Sequence, residues 1–239
     1  PWYKWFLNFF TDPYFGRLLK NTFLISGLTI LFGFPAPIIL ALMINEVKNS
    51  AFKRTVQTIT YMPYFISMVV LCGLLKTFCM QDGLFAQIAV LFGGKAQNYL
   101  ANPAYFRTIY VLSDIWSGIG WNSIIYLAAL SSIDQEQYEA ARVDGANRFE
   151  QMIHITLPGL VPTIMVLFIL RMGNILNVGY EKILLLYNSA TYSTADVIST
   201  YTYRLSFGGS GNPMYSKSTA IGLFNTIINV FFLMLTNMI

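Results

Sequence analysis

Thr22-Phe-Leu-Ile-Ser-Gly-Leu-Thr-Ile-Leu-Phe-Gly-Phe-Pro-Ala-Pro-Ile-Ile-Leu-Ala-Leu-Met-Ile44 is a run of 23 residues without one charged side chain. A helix rises about 1.5 Å per residue and the hydrocarbon core of a bilayer is about 30 Å thick, so roughly 20 apolar residues cross it. The run is long enough to span, and the pattern recurs along the chain. Residues 55–75 add 21 uncharged positions bracketed by Arg54 and Lys76, and residues 108–133 are apolar apart from Asp114. Residues 157–170 continue past Arg171 to about Leu176, and residues 218–239 add 22 uncharged positions. Five crossings are predicted. Pro35, Pro37 and Pro63 would kink or break a helix in water, but inside a bundle neighbouring helices can satisfy the freed carbonyls.

Composition points the same way. The 239 residues are 55% apolar and 11% charged, against about 25% charged in soluble domains. Aromatic residues make up 16%, too many for a disordered chain. The 15 Lys and Arg are scattered against 11 Asp and Glu, with no block of like charge, so no nucleic-acid partner is expected. Cys72 and Cys79 fit no zinc, haem or redox spacing and read as inert thiols. His154 has no companion at ligand spacing, so no metal site is expected. A Walker loop, His-Glu-x-x-His and Gly-x-Ser-x-Gly are all missing from the sequence, so no catalytic residue is expected either. The reading is an all-α integral membrane protein.

The connections differ in character. Residues 45–54 carry Lys48, Lys53 and Arg54 against Glu46, whereas 76–107 and 177–217 are long and rich in Gly, Asn, Ser and Tyr. Residues 131–158 hold Asp134, Glu136, Glu139, Asp144 and Glu150 against Arg142 and Arg148, too much charge for lipid. Their apolar positions suit short amphipathic helices broken near Gly145. Positive charge is denser in the two short connections, which favours a cytoplasmic position for them. Residues 1–21 then lie outside with no signal-peptide pattern, so a first span upstream, six in the intact chain, is expected. Residues 1–10, with Trp2, Tyr3 and Trp5, read as an interfacial segment against membrane lipid.

Within the polar connection stands Glu139-Ala140-Ala141-Arg142-Val143-Asp144-Gly145-Ala146, followed at fixed distance by Ile155-Thr156-Leu157-Pro158. It resembles the EAA signature of permease subunits of binding-protein-dependent type I ABC importers, matching every fixed position and the spacing. The resemblance implies a MetI-like transmembrane bundle forming a single domain over residues 1–239. It also implies a cytoplasmic coupling loop at 131–158 that docks in a groove of an ATP-binding subunit. The residues at that joint would be Glu139, Ala140, Ala141, Asp144, Gly145, Ala146, Ile155, Leu157 and Pro158. Their chemistry suits a joint. Ala140 and Ala141 admit a close neighbour, and Gly145 permits a positive φ at a sharp reversal. Asp144 can bond amides at the next helix start, and Pro158 suits a first helical turn.

Residues 179–204 and 218–230 are similar to the LplB-type branch of carbohydrate permeases. This implies a bacterial plasma-membrane protein that translocates a sugar or oligosaccharide by alternating access. The implied partners are a second homologous permease, two ATP-binding cassette subunits and an extracytoplasmic solute-binding lipoprotein. ATP and Mg would be used by the ATP-binding subunits, with no cofactor bound by this chain. An importer of a peptide or anion is the alternative, and a polytopic membrane enzyme a more distant one.

Charged groups at bilayer depth should face protein or water, which singles out Asp114 and Arg171. They form an ion pair, with each other or with the partner permease, or they line a solute pathway with Ser117, Trp121, Asn122, Asn174 and Asn177. Arg171, Asn174 and Asn177 are three apart, which on a continuous helix is one face. In maltose-type relatives the corresponding stretch supplies asparagines that hold sugar, and rings such as Trp121 and Tyr126 suit its apolar faces.

Overall fold

Two prolines in the first apolar run force the way it folds. The computed structural model describes residues 3–208 and 213–238; Pro1 and Trp2 of the expected interfacial segment and Ile239 of the last crossing lie outside them. After α1 (Lys4–Phe10), α2 (Phe15–Leu28) passes through a π-helical turn at Thr29–Gly33 into α3 (Pro35–Glu46). A proline ring clashes with the carbonyl four residues earlier, and the wider turn moves that carbonyl aside. Pro35 then occupies the first turn of α3, where a missing N–H costs nothing. Helical structure therefore runs from Phe15 to Glu46, 32 residues.

The second expected crossing, 55–75, is not one helix. Asn49 caps α4 (Ser50–Tyr61) by accepting from the amides of Ala51 and Phe52, each at 3.0 Å. A tight 3-10 turn at Met62–Phe65 carries Pro63, and Ser67 then caps α5 (Met68–Cys79). Proline and cap together end one helix and start another. The apolar stretch of membrane length is instead Met68–Leu91, which includes α6 (Leu84–Leu91). It is followed by α7 (Pro103–Ser131), 29 residues that begin behind the Asn102 cap. Beyond it lie α8 (Gln135–Val143), α9 (Arg148–Gln151), a π-helical turn at Met152–Thr156 and α10 (Leu157–Met172).

The fourth crossing is helical from Arg148 to Met172, so it starts earlier and stops sooner than the apolar run suggests. Gly173 ends it, and residues 173–176 form a turn. Short helices α11 (Tyr180–Leu186), α12 (Tyr192–Ala195) and α13 (Ile198–Phe207) lead to α14 (Tyr215–Asn237). Among the described residues four helical stretches are long and apolar enough to cross a membrane: Phe15–Glu46, Met68–Leu91, Arg148–Met172 and Tyr215–Asn237. The third expected crossing, α7, has the length but carries Asp114, Ser117 and Asn122 along its middle. It is the centre of the bundle, packed by α3, α4, α10 and the Met62–Phe65 turn.

Packing is closest at Gly120 of α7, where a Cβ would overlap the backbone carbonyl of Thr60 on α4. Ala41, Tyr126, Leu130 and Leu160 join α3, α7 and α10 at one end of the bundle. Ile25, Leu71, Phe106, Tyr110 and Ile183 form a larger core at the other. The polar connections sort with these ends. Arg148 meets Glu46 at 3.6 Å, tying 131–158 to 45–54. At the far end Asn188 donates to the Leu100 carbonyl at 2.9 Å and Thr194 to that of Pro103 at 2.9 Å, tying 177–217 to 76–107.

The far end is also where ion pairs hold the chain together. Asp196 is fully buried and takes both guanidinium nitrogens of Arg204 at 2.8 Å. Burial alone would lower the Arg204 guanidinium, but its bonds to Asp196 and Tyr187 raise it above its ordinary range. Asp12 accepts from Lys217 at 2.7 Å and from the Tyr201 hydroxyl at 2.5 Å. Burial pushes its carboxyl up, yet the bonds from Lys217, Tyr201 and the Tyr14 amide outweigh it and hold it below the usual aspartate value.

Candidate functional site

A polar cleft opens between the first crossing, α7 and the end of α10. It has two adjoining lobes of about 370 and 250 Å³ that share Thr29, Asp114, Arg171 and Asn174 as walls. Phe34, Asn122 and Tyr126 line the larger lobe, and Ser26, Tyr110 and Asn177 the smaller one. Five of the seven pathway residues expected from sequence therefore converge here: Asp114, Asn122, Arg171, Asn174 and Asn177. They do so without the shared helix face. The helix stops at Gly173, so Asn174 and Asn177 reach the cleft from the turn beyond it, with Asn177 Nδ2 donating to Asn174 Oδ1 at 3.1 Å.

Two residues fall outside the walls. The Ser117 hydroxyl is satisfied by the Asp114 carbonyl at 3.2 Å. Trp121 sits on another face of α7, stacked on Tyr64 at 4.6 Å with an interplanar angle of 5°. The Met62–Phe65 turn brings Tyr64 there, which the sequence alone does not reveal.

The charges pair differently from expectation. Asp114 does not bridge Arg171; its Oδ1 lies 3.4 Å from Lys182 Nζ. Lys182 is nearly sealed, with 3% of its side chain exposed, while Asp114 keeps 41% open. The same ammonium donates to the Tyr110 carbonyl at 3.1 Å and lies 4.6 Å from the centre of the Tyr110 ring. Lys182 was not singled out from sequence, because a lone lysine on a short helix in a long connection carries no spacing signal. Ser26 also escaped notice; its hydroxyl donates to the Ile175 carbonyl and, with Asn229 accepting from the Leu176 amide at 3.0 Å, fixes the turn.

At the other end the 131–158 connection is a helical hairpin. Asp134 caps α8, accepting from the Glu136 amide at 3.0 Å. Gly145 turns the chain with φ +83°, and the Ala146 amide closes the turn onto the Ala141 carbonyl at 2.8 Å. The cap of α9 is Asn147, not Asp144. Its Oδ1 accepts from Phe149 and Glu150, and Glu150 accepts from the Asn147 amide at 2.7 Å in a reciprocal capping box. Asp144 instead ends α8. Glu139, Ala140 and Asp144 are exposed, Ala141 and Ala146 half-buried, and Val143 and Phe149 present 88% and 64% of their surface to solvent. Ile155 and Leu157 are half-buried and Pro158 lies in the first turn of α10. His154 donates from Nδ1 to the Glu150 carbonyl, 3.0 Å away. Among the described residues no three His, Cys, Asp or Glu side chains gather closely enough to hold a metal ion.

Residues 33–239 match the sequence profile of the binding-protein-dependent transport system inner membrane component family. The chain belongs to that family. It is an all-α permease component of a binding-protein-dependent ABC transport system, located in the membrane. Protein LplB of Bacillus subtilis (strain 168) is 43% identical over 95% of this chain and 71% of its own length. The polygalacturonan/rhamnogalacturonan transport system permease protein YteP of the same organism is 42% identical over 98% of this chain and 72% of its own. A crystal structure of a bacterial ABC transporter involved in import of the acidic polysaccharide alginate superimposes with a TM-score of 0.94 at 46% identity. That match covers 98% of this chain and 82% of that one.

Proposed function

We propose that this permease carries an oligosaccharide through the cleft, which opens in turn to the two faces of the membrane. The observation that carries the reading is the wall. Asn122, Asn174 and Asn177 offer amides that both donate and accept, Asp114 keeps a half-open carboxylate, and Phe34 and Tyr126 add aromatic surface. Sugars present hydroxyls and apolar ring faces, which such a mixture matches. The relatives' involvement in polygalacturonan, rhamnogalacturonan and alginate transport supports a carbohydrate.

A second homologous permease completes the pathway, and two ATP-binding subunits use ATP and Mg, so this chain hydrolyses nothing. An extracytoplasmic solute-binding protein delivers the solute, and closure of the ATP-binding subunits pulls on the 131–158 hairpin. The exposed apolar residues Val143 and Phe149 beside the Gly145 turn support that docking role. Bound solute and nucleotide then bias the bundle between its states. The test is uptake of labelled oligosaccharide by the complete importer in proteoliposomes. Replacing Asn122 and Asn174 with Leu should lower uptake at least about tenfold while the complex still assembles. Normal uptake by an assembled double variant would remove the cleft from the pathway.

A further inference from the structure

The cleft carries an unbalanced positive charge. Asp114 and Lys182 cancel at 3.4 Å, and Lys182 is too buried to reach a solute. Arg171 lines both lobes, is exposed there, and makes no ion pair or side-chain hydrogen bond among the described residues. An arginine held within a bundle without a carboxylate partner is costly and marks a path that a solute or ion uses. A guanidinium is a planar fork that fits a carboxylate with two parallel hydrogen bonds, whereas a sugar hydroxyl leaves its charge uncompensated. Asn122 and Asn174 share the larger lobe with Arg171 and are placed to take the neighbouring hydroxyls.

We infer that Arg171 reads a carboxylate on the passing solute, so the oligosaccharide is an acidic one built from uronate units. The inference rests on the oligosaccharide reading of the same cleft and adds the charge. Arg171 acts as a specificity determinant: it neutralises the uronate from a wall shared by both lobes, and a neutral sugar leaves it unpaired. Tyr110 and the buried Lys182 keep Asp114 from cancelling it.

The test uses the complete importer in proteoliposomes with four probes: trigalacturonate, trimannuronate, and the fully methyl-esterified form of each. Affinity of the solute-binding protein for each probe is measured separately and divided out, since no change in the permease can alter it. The wild type should prefer an acid to its ester at least about tenfold, and Arg171→Gln should reduce that preference roughly ten- to hundredfold. Arg171→Lys, which keeps the charge and loses the fork, should fall between them. An acid-to-ester ratio unchanged in an assembled Arg171→Gln importer overturns the inference. So does equal loss of acid and ester uptake, which would make Arg171 a structural partner of the second permease. Should Arg171→Gln not assemble, the wild-type ratio decides: preference for the acid supports the inference, and a ratio near one overturns it. A wild type that carries neutral oligosaccharides alone overturns the inference and leaves the oligosaccharide reading standing. A wild type that carries no oligosaccharide removes that reading too.

Discussion

Replacing Gly145 with Val tests whether the hairpin is a mechanical joint. Gly145 holds φ at +83°, and an added Cβ there would meet nothing within 4 Å. The substitution therefore brings no clash, and its whole cost is backbone strain, about 1–2 kcal/mol for an L-residue in the left-handed region. A loss of that size shifts a local equilibrium roughly five- to thirtyfold. The strain can be relieved only by giving up the Ala146-to-Ala141 bond at 2.8 Å and the Gly145-to-Arg142 bond at 3.1 Å. That opens the angle between α8 and α9 and displaces Val143 and Phe149. No membrane crossing changes, so insertion should be normal. The assay is the amount of ATP-binding subunit that co-purifies per permease, followed by solute imported per ATP hydrolysed in proteoliposomes. Asn tolerates positive φ better than Ala, and Ala better than a β-branched residue, so activity should fall in the order Gly, Asn, Ala, Val. Wild-type co-purification and transport by Gly145→Val would refute the joint. Equal losses in Asn and Val would refute the backbone argument while leaving the joint in place.

Other expectations follow from the same geometry. Lys182→Met leaves Asp114 without its cation. Because that carboxylate is 41% exposed, water limits the loss to about 1–3 kcal/mol, read as a lower Tm in detergent that Asp114→Asn partly restores; no change in Tm would discount the pair. Gly120→Ala should destabilise by about 1–3 kcal/mol because its Cβ overlaps the Thr60 carbonyl, whereas Gly222→Ala, with open space around it, should be near neutral. Asp12 has a lowered folded pKa, so its stabilisation is complete above the unfolded value near 3.9 and is lost as pH falls through the folded one. The Tm gap between wild type and Asp12→Asn should thus be full at pH 7 and close only well below pH 4; a gap that persists there would deny the ion pair its role. For orientation, single cysteines at the exposed positions Lys48 and Ser189 are probed on intact cells with an impermeant reagent, Cys72 and Cys79 being buried. Ser189→Cys should label and Lys48→Cys should not; the reverse would invert the protein.

What could be read from the chain was local or spaced. Apolar length marks a crossing because water must be excluded over about 30 Å whatever the neighbours are. The fixed spacing from Glu139 to Pro158 marks a hairpin because Gly145 and the caps act within a few residues. Exposed asparagines and charges in apolar surroundings marked the cleft for the same reason: their cost is paid wherever they sit, so they must converge on water or on one another. Reading failed where a local break competed with an apolar pattern. Pro63 and Ser67 divide the run at 55–75, and Gly173 ends a helix that hydropathy carries to Leu176. Asn147 capped α9 in place of Asp144 because it stands at the helix start, three residues before Glu150.

Sequence by itself determined that this is a helical membrane protein, that its polar connection folds as short helices broken at Gly145, and that Asp114, Arg171 and several asparagines need company. Only the tertiary structure decided whose company. Asp114 meets Lys182 from 68 residues away, Trp121 turns to Tyr64, and Arg171 faces the cleft with no ion-pair partner among the described residues. The physical reason is that a residue's own chemistry sets the cost of leaving it unpaired. Which partner relieves that cost depends on how helices distant in sequence pack round α7.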